Sequence, residues 1–585
     1  MAELSAPALD PGNRVPPKLH VTRKNQFTWV RDLIIGAAIV VEWAVSVTYF
    51  HIIIPYYKGT ITFCYPIISF GGNSFDLRFS YDLFSASFSI TVLGIRAGVL
   101  VFTQRYMDES PCYLRFHLYI LIFILSILLL IFSNNIFTAI LGWDLLGVTS
   151  LLLVIFYTSR ETAEAGYSVI IVARIGDFFV LRVVGYFVLT GKVTQEWLSD
   201  HLNEPWFVFL VIIFGITKRA CNPYSAWLPM AIAAPTPVSA LVHSSTLVTA
   251  GAYLLVRSLN RDYSLNDLRQ IIRYLGMVTM CYGGLGAIYS SDLKKIVAFS
   301  TLSHLGLVFI TLGMGQLHWG FIHLIVHSWL KATIFLRFGY LIKSVGGEQN
   351  LGITIKAGNR AVLAIAVFCV AAIALSGFPF VGAYFTKEPI SIFINNTNIW
   401  IFSSWFMYFG TFLSFVYTTR AVIIIWTFYR RITIEGDLED KRKIFSLCNL
   451  CIWAIVSGPW IIYWLSQHHP KLIEFRRSVF EEIVVIICVG IYWGLAYKNR
   501  GIDFNNLKTH PWWGSFIGLM NFSSRVFSIP RYISGKWRKF LAQAELYILL
   551  KNVPWYKQNH LFTWAFCIIQ YIIFIVVVIY IFILA

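Results

Sequence analysis

Charged residues are what this sequence has least of. Of its 585 residues only 13% are Asp, Glu, Lys or Arg, about half the share found in an average soluble protein, whereas 57% are hydrophobic. So little charge could not cover the surface of a soluble protein of this length. The composition therefore excludes soluble enzymes, disordered chains and coiled coils, and it predicts an all-α polytopic membrane protein.

Sequence motifs for redox cofactors and nucleotides are missing as well. There is no G-x-G-x-x-G and no P-loop, and the nine cysteines lack the spacing of an iron–sulfur site. Cys448 and Cys451 have C-x-x-C spacing, but no second pair completes a metal site. We therefore expect this chain to bind no cofactor and no metal, and any redox chemistry to take place in another subunit.

The charges that are present are mostly positive: 47 Lys and Arg stand against 29 Asp and Glu, a net charge of +18. Basic pairs such as Lys294-Lys295 and Arg430-Arg431 lie in short stretches between apolar runs, as orientation signals and lipid-headgroup contacts do. The excess therefore indicates contact with lipids, and we expect no binding to nucleic acid.

Apolar runs follow one another from residue 33 to the C-terminus. Since roughly 20 residues span the hydrocarbon of a bilayer, these runs predict about 14 to 16 transmembrane helices. Prolines and glycines interrupt the apolar sequence at 227–237 and 376–389. Interrupted helices survive at membrane depth only beside other protein or a water-filled cavity, and paired interruptions point to inverted repeats and ion sites. The stretch 515–550 has apolar residues at helical spacing with basic residues between them, which predicts an amphipathic helix lying along the membrane.

Three ionisable residues share one face of a predicted helix, because His323, His327 and Lys331 follow one another at intervals of four. A charge at the centre of a transmembrane helix costs about 3 kcal/mol, so a functional role is the first hypothesis. We favour a proton relay, since histidine titrates near neutral pH and a lysine removed from water releases its proton more readily. A metal site on the two histidines, or a structural role between helices, are the alternatives.

Asp144 and Lys218 are two further charges within apolar runs. Opposite charges on separate helices could pair, and each would then hold the other in its charged form. The alternative is a static ion pair that only locks two helices together.

Several of these residues lie in motifs that closely resemble the family of NADH–ubiquinone oxidoreductase chain 5, the large antiporter-like subunit of respiratory complex I. The resemblance covers about residues 105–390 strongly and continues more weakly to the C-terminus. Its motifs are Gly-Trp-Asp-Leu-Leu-Gly (142–147), Arg-Ile-Gly-Asp (174–177), the run beginning Ala-Ala-Pro-Thr-Pro (233–248), Asp-Leu-Lys-Lys-Ile-Val-Ala-Phe-Ser-Thr (292–301), His-x3-His-x3-Lys (323–331) and the segment 376–388 with Ser-Gly-Phe-Pro-Phe and Tyr-Phe-Thr-Lys-Glu.

The resemblance implies an architecture of about sixteen transmembrane helices, with two inverted five-helix repeats that form proton half-channels and a lateral helix along the membrane arm. Applied to this sequence, it predicts a polar N-terminal leader (1–31), N-terminal transmembrane helices (32–113), a first antiporter-like repeat (114–257), a second (258–428), additional transmembrane helices (429–500), a lateral amphipathic helix (501–560) and a C-terminal transmembrane anchor (561–585).

The resemblance also implies roles for individual residues. Asp144 matches the carboxylate of the first half-channel, Lys218 its partner lysine at a broken helix, and Asp177 a further polar position of that repeat. His243 matches the histidine that bridges to the centre, and Lys387 the lysine of the second half-channel. His323, His327 and Lys331 match the central hydrophilic axis.

Four positions depart from the family pattern. Arg219 follows Lys218 where a serine is usual, Arg337 stands where a small residue is usual, and Arg182 replaces a leucine. His304 replaces a common glutamine. An arginine beside Lys218 would disfavour the charged form of that lysine unless it points elsewhere.

The function implied by the resemblance is proton translocation within complex I, in the mitochondrial inner membrane. NADH, FMN, iron–sulfur clusters and ubiquinone are then bound by other subunits, and the partners are the other membrane-arm subunits and lipids. A subunit of a multisubunit sodium/proton antiporter is the alternative within the same fold family. A structural scaffold with inert ion pairs is the alternative from another class.

Overall fold

A computed structural model describes residues 61–70, 73–107, 113–157, 159–189, 212–213, 215–218, 220–222, 224–258, 266–290, 292–344, 362–396, 401–429, 450–460 and 489. The predicted polar leader, lateral amphipathic helix and C-terminal anchor lie outside these residues, as does most of 429–500.

Most of the described residues are helical, as the apolar runs predict. The helices are α1 Leu83–Tyr106, α2 Tyr113–Phe132, α3 Ile136–Val154, α4 Arg160–Leu189, α5 Trp227–Ala231, α6 Thr236–Val242, α7 Leu247–Ser258, α8 Asn266–Tyr289, α9 Leu293–Gly313, α10 Leu317–Ser344, α11 Val362–Ser376, α12 Tyr384–Asn396, α13 Ile401–Tyr429 and α14 Leu450–Trp460. Within the described residues seven helical segments are long and apolar enough to cross a membrane. A polytopic membrane protein is thereby confirmed, while the full number of helices and the inverted repeats stay predictions.

A β-hairpin precedes α1, the first helix of the described residues, so the described chain is not purely α-helical. Strand β1, Ile61–Phe70, pairs antiparallel with β2, Asn73–Tyr81, and Phe70 lies opposite Asn73. The signal for it was Gly71-Gly72 between two runs rich in aromatic and β-branched residues, which favours a hairpin. The prediction of an all-α protein is wrong here, because each strand is too short to appear as a membrane-spanning apolar run.

The hairpin is joined to the helices by a charged contact. Asp82 caps α1, where its carboxylate accepts a hydrogen bond from the Ser85 amide at 2.8 Å. Arg257, in the last turn of α7, forms an ion pair with the same carboxylate and also donates to the Ser80 hydroxyl at 3.3 Å. One acidic side chain therefore begins α1 and ties the end of β2 to α7.

Helix α10 is at the centre of the described bundle, and every residue in its apolar membrane-spanning window is buried. It packs against α1, α6, α7, α9, α11 and α12. Next to it α8 and α9 lie close together over their length, because glycines face each other: a Cβ added to Gly276 would lie 2.8 Å from the carbonyl oxygen of Gly306. The histidines and lysine of α10 are thus surrounded by other helices.

The chain is interrupted at both places where prolines and glycines predicted broken helices. Residues 232–235 separate α5 from α6, and residues 377–383 separate α11 from α12. Left-handed backbone occurs in the second interruption, at Gly377 with φ 95° and Phe380 with φ 62°. Such interruptions leave backbone carbonyls without helical partners, which places hydrogen-bond acceptors inside the bundle.

Candidate functional site

Four lysines are buried among the described residues, and each donates to a backbone carbonyl. The bonds are Lys218 Nζ to Trp143 O at 2.6 Å, Lys294 Nζ to Ala234 O at 3.3 Å, Lys331 Nζ to Val297 O at 3.2 Å and Lys387 Nζ to Ser376 O at 2.6 Å. Within the described part of the chain none of the four forms an ion pair with a carboxylate. A carbonyl satisfies the ammonium without fixing its charge as firmly as a carboxylate would.

The helix interruptions supply two of these carbonyls. Ser376 is the last residue of α11, and Ala234 lies between α5 and α6. Lys387 is the fourth residue of α12, so the chain turns back through 377–383 and brings that lysine onto the end of the helix before it. The proline- and glycine-rich segments therefore create the acceptors that hold buried lysines.

Around Lys218 the structure brings together α3 and α4 in a first cluster. The ammonium lies 3.8 Å from the centre of the Trp143 ring, in addition to its bond to the carbonyl of the same residue. The indole N–H of Trp143 donates to Asp177 at 3.0 Å, and Arg174 donates to the other oxygen of Asp177 at 3.0 Å. Trp143 thus contacts both the Asp177 carboxylate and the Lys218 ammonium.

Asp144 and Lys218 form no direct ion pair in the structure, although the two charges lie near enough to interact electrostatically. Asp144 is buried on α3, but the Lys218 ammonium is occupied by the carbonyl and the ring of the neighbouring Trp143. Sequence reasoning paired the two charges because each needs compensation, and it had no means of seeing that a backbone carbonyl provides it.

His243 is the residue that was predicted to bridge the first half-channel to the centre. It follows α6, is buried, and its ring centre is 5.9 Å from that of Phe335 on α10. No direct hydrogen bond joins it to Lys218 or to Lys331 in the described structure. A proton passing along this part of the predicted route needs water or a side-chain movement.

The second cluster is formed by α9, α10, α12 and α13. Lys331 donates to the Ser300 hydroxyl on α9 at 2.5 Å. His323 bonds through Nδ1 to the Thr386 hydroxyl at 2.8 Å and through Nε2 to Nδ1 of His304 at 3.3 Å. The ring of His327 is 5.5 Å from that of His304. The three predicted residues of α10 therefore contact side chains of α9 and, through His323, of α12.

Lys387 ends this second cluster. Besides the carbonyl of Ser376, its ammonium bonds to the Ser414 hydroxyl on α13 at 3.1 Å. A small pocket beside it is lined by Tyr384, Ser391 and Thr411, among others. Polar side chains and a gap next to Lys387 are what a proton exchanging with water would need.

Eight residues of the two clusters and the buried-lysine set were not predicted as site residues: Trp143, Arg174, Lys294, Ser300, His304, Thr386, Ser414 and Tyr417, whose hydroxyl is 3.3 Å from Nε2 of His304. Most of them lie within or beside the motifs that carry the resemblance, and this closeness in sequence could have indicated that they belong to the site. For Ser414 and Tyr417 the sequence offers none, since they lie on a helix outside those motifs. In the described residues no group of three or more His, Cys, Asp and Glu could hold a metal ion.

The arginines that depart from the family pattern have different surroundings. Arg182 is exposed on α4, with its guanidinium 5.4 Å from the ring centre of Phe178. Arg337 is only 1% exposed, on α10. Arg219 lies outside the described residues.

Comparison with known proteins gives consistent matches. Residues 133–415 match the model of the family described as NADH:quinone oxidoreductase/Mrp antiporter, TM. The chain is 32% identical to NADH-ubiquinone oxidoreductase chain 5 of Anopheles gambiae, covering 85% of this chain and 88% of that protein. It is 33% identical to the chain 5 protein of Lumbricus terrestris, covering 84% and 87%.

Two solved structures have a similar fold. One is the Mrp complex from Dietzia sp. DQ12-45-1b, with a TM-score of 0.67 and 20% identity, where the match covers 89% of this chain and 62% of that chain. The other is the membrane-bound sulfane sulfur reductase, an archaeal respiratory membrane complex, with a TM-score of 0.63 and 18% identity over 80% and 96% of the two chains. At these identities the likeness concerns the fold alone.

Proposed function

Since the chain belongs to the family of NADH-ubiquinone oxidoreductase chain 5, we propose that its buried lysines, histidines and aspartates carry protons across the membrane as part of respiratory complex I. It is a proton-translocating membrane subunit. The sodium/proton antiporter alternative is less favoured, because relatives named as chain 5 match over most of the chain while the Mrp complex shares the fold at lower identity.

The observation that carries the proposal is the set of four buried lysines that bond to backbone carbonyls and form no direct ion pair with a carboxylate in the described residues. A scaffold would pair such charges, because an unpaired buried charge is strongly destabilising. A relay needs the opposite, since a lysine that carries protons must change between charged and neutral forms. Carbonyl and hydroxyl partners tolerate both forms, because they accept from the ammonium and from the neutral amine alike.

The relay that we propose has two ends and a centre. Asp144, Asp177 and Lys218 exchange protons in the first half-channel, and His243 bridges to the centre. His323, His327 and Lys331 form the centre, and Lys387 exchanges protons in the second half-channel. At each lysine the proton is held by Nζ, and its departure leaves a neutral amine that accepts the next one.

The chemistry that drives this movement takes place elsewhere. We propose that NADH, FMN, iron–sulfur clusters and ubiquinone are bound by other subunits of the complex, and that this chain itself has no redox centre. The lateral amphipathic helix and the outer faces of the transmembrane helices contact other membrane-arm subunits and lipids. The location is the mitochondrial inner membrane.

Substitution of two buried lysines tests the relay. Lys218→Met and Lys331→Met keep the apolar stem but remove the titrating group, so the assembled complex should translocate few protons, and coupled NADH oxidation should fall with it. Lys295→Met is the matched control, because that lysine is half exposed and bonds to Asp292 on the surface. Assembly, NADH oxidation and proton translocation are measured together in membrane vesicles.

The scaffold alternative predicts the reverse result. If these lysines only hold helices together, the two variants should fail to assemble, and whatever assembles should pump normally. Full assembly with unchanged proton translocation per electron in both variants would contradict the relay.

A further inference from the structure

The side chains between Lys331 and Lys387 come from four helices, and only those on α10 and Lys387 itself were expected to take part. The Lys331 ammonium points to α9, where it bonds to Ser300 and to the carbonyl of Val297. One helical turn after Ser300, on the same face of α9, stands His304. The route away from Lys331 therefore begins on α9.

His304 is buried and engages both of its ring nitrogens. Nδ1 is 3.3 Å from Nε2 of His323, and Nε2 is 3.3 Å from the hydroxyl of Tyr417. His323 continues to Thr386, which directly precedes Lys387. The result is one unbroken chain of hydrogen bonds, from Tyr417 through His304 and His323 to Thr386.

Both ends of this chain lie close to Lys387. Thr386 is its neighbour in sequence on α12. Tyr417 is one turn after Ser414 on α13, and the Ser414 hydroxyl accepts from the Lys387 ammonium at 3.1 Å. His304 is thus placed between the α9 partner of Lys331 and the two helices that hold Lys387.

The Thr386 hydroxyl gives the chain its direction. It donates its proton to the carbonyl of Ala383 at 2.9 Å and therefore accepts from Nδ1 of His323. Nε2 of His323 then accepts from Nδ1 of His304, and Nε2 of His304 accepts from the Tyr417 hydroxyl. Passage of a proton along the chain reverses these bonds, and the reversed arrangement requires the Thr386 hydroxyl to turn from Ala383 to His323.

We propose that His304 is a proton carrier between Lys331 and Lys387, an inference that rests on the relay proposed above. A proton leaving Lys331 crosses the one-turn gap bordered by Ser300 and His327 and binds one nitrogen of the His304 imidazole. The imidazolium then releases the proton on its other nitrogen to the next member of the chain. Lys331 is left neutral, His304 returns to neutrality as the opposite tautomer, and the proton continues towards Lys387.

The test separates proton transfer from hydrogen bonding. In His304→Gln the side-chain amide can still bond to His323 and Tyr417 but cannot take up a proton, whereas His304→Leu loses the bonds as well. His318→Gln is the matched control, because that histidine stacks on Phe84 at 5.4 Å and takes no part in the chain. The variants are made in the full chain, and the assembled complex is studied in membrane vesicles.

We expect the His304→Gln complex to assemble and its coupled turnover to fall severalfold. Its solvent isotope effect in deuterated water should increase, because proton transfer past residue 304, without an imidazole to carry the proton, becomes the slow step. His304→Leu should be impaired at least as much, and His318→Gln should behave as the unchanged protein. Unchanged turnover and isotope effect in His304→Gln would overturn the proposal.

Three further measurements, on Tyr417→Phe, Lys331→Met and Lys387→Met, keep the outcome decisive. If His304→Gln does not assemble, Tyr417→Phe removes only the hydroxyl that bonds to His304; reduced turnover with an increased isotope effect then supports the proposal, and normal turnover overturns it. Lys331→Met and Lys387→Met are measured in parallel. If both pump normally the relay itself is wrong, whereas defects in both beside a normal His304→Gln reject only the role of His304.

Discussion

Trp143 holds Lys218 with two different groups, its carbonyl oxygen and its ring. A desolvated cation over an indole ring gains about 2 kcal/mol. The same residue donates its N–H to Asp177, so the positions of the ammonium and of the carboxylate depend on one side chain. Trp143 was part of a recognised motif, but only the structure assigns it to Lys218.

Two substitutions of Trp143 should therefore reduce proton translocation to different extents. Trp143→Phe keeps an aromatic face but loses the bond to Asp177, and we expect a moderate decrease in coupled turnover. Trp143→Leu loses the bond to Asp177 and also the aromatic face beside Lys218, and should decrease coupled turnover further. The measurement is proton translocation per electron and NADH oxidation in assembled complexes, with Trp405→Phe, at a residue 70% exposed, as the control. Equal activity of Trp143→Leu and Trp143→Phe would show that the aromatic face does not matter.

At the scale of elements, the close packing of α8 against α9 positions the second cluster. A Cβ on Gly276 would lie 2.8 Å from both Gly306 O and Ile310 N, and backbone atoms cannot move out of the way as a flexible side chain can. His304 and Ser300 lie on the same helix α9. A change that separates α8 from α9 therefore also displaces the residues that contact Lys331 and His323.

We expect Gly276→Ala to destabilise the chain by about 1 to 3 kcal/mol, the usual cost of an added methyl group in a filled interface. Gly185→Ala is the matched control, because nothing lies within 4 Å of its added Cβ and alanine favours a helix by about 0.5 to 1 kcal/mol. Thermal inactivation of the assembled complex measures both. If Gly276→Ala is as stable as Gly185→Ala, the two helices are not held at the distance described.

At the scale of the whole molecule, the relay that we propose uses the two clusters in series. The first contains Lys218 and the second Lys331 and Lys387. We propose that His243, beside α10, links them. In a series arrangement every proton passes both ends. Two independent channels would instead conduct in parallel.

A double substitution distinguishes these architectures. In series, Lys218→Met and Lys387→Met should each reduce translocation to the same low level as the double variant, because one block is sufficient and the effects are not additive. In parallel, each single variant should retain part of the activity and the double variant should lose the remainder. Proton translocation by the three assembled complexes, compared at equal electron flux, gives the answer.

The amino-acid sequence by itself determined the membrane class, the helical character of the apolar runs and the interruptions at both proline- and glycine-rich segments. These features depend on local properties: the length of an apolar run, the period of a helix and the restrictions of proline and glycine. The same local period placed His323, His327 and Lys331 on one face of α10. A local signal for the β-hairpin was also present, in Gly71-Gly72, but it was not used.

Only the tertiary structure decided what each buried charge touches. Lys218 was expected to meet a carboxylate and meets the carbonyl and ring of Trp143, and Lys331 turns to Ser300 on another helix. His304 reaches Tyr417, which is 113 residues away in sequence. Such contacts depend on how helices pack and on where an interrupted helix leaves a carbonyl free, and neither is encoded in the spacing of residues along one helix.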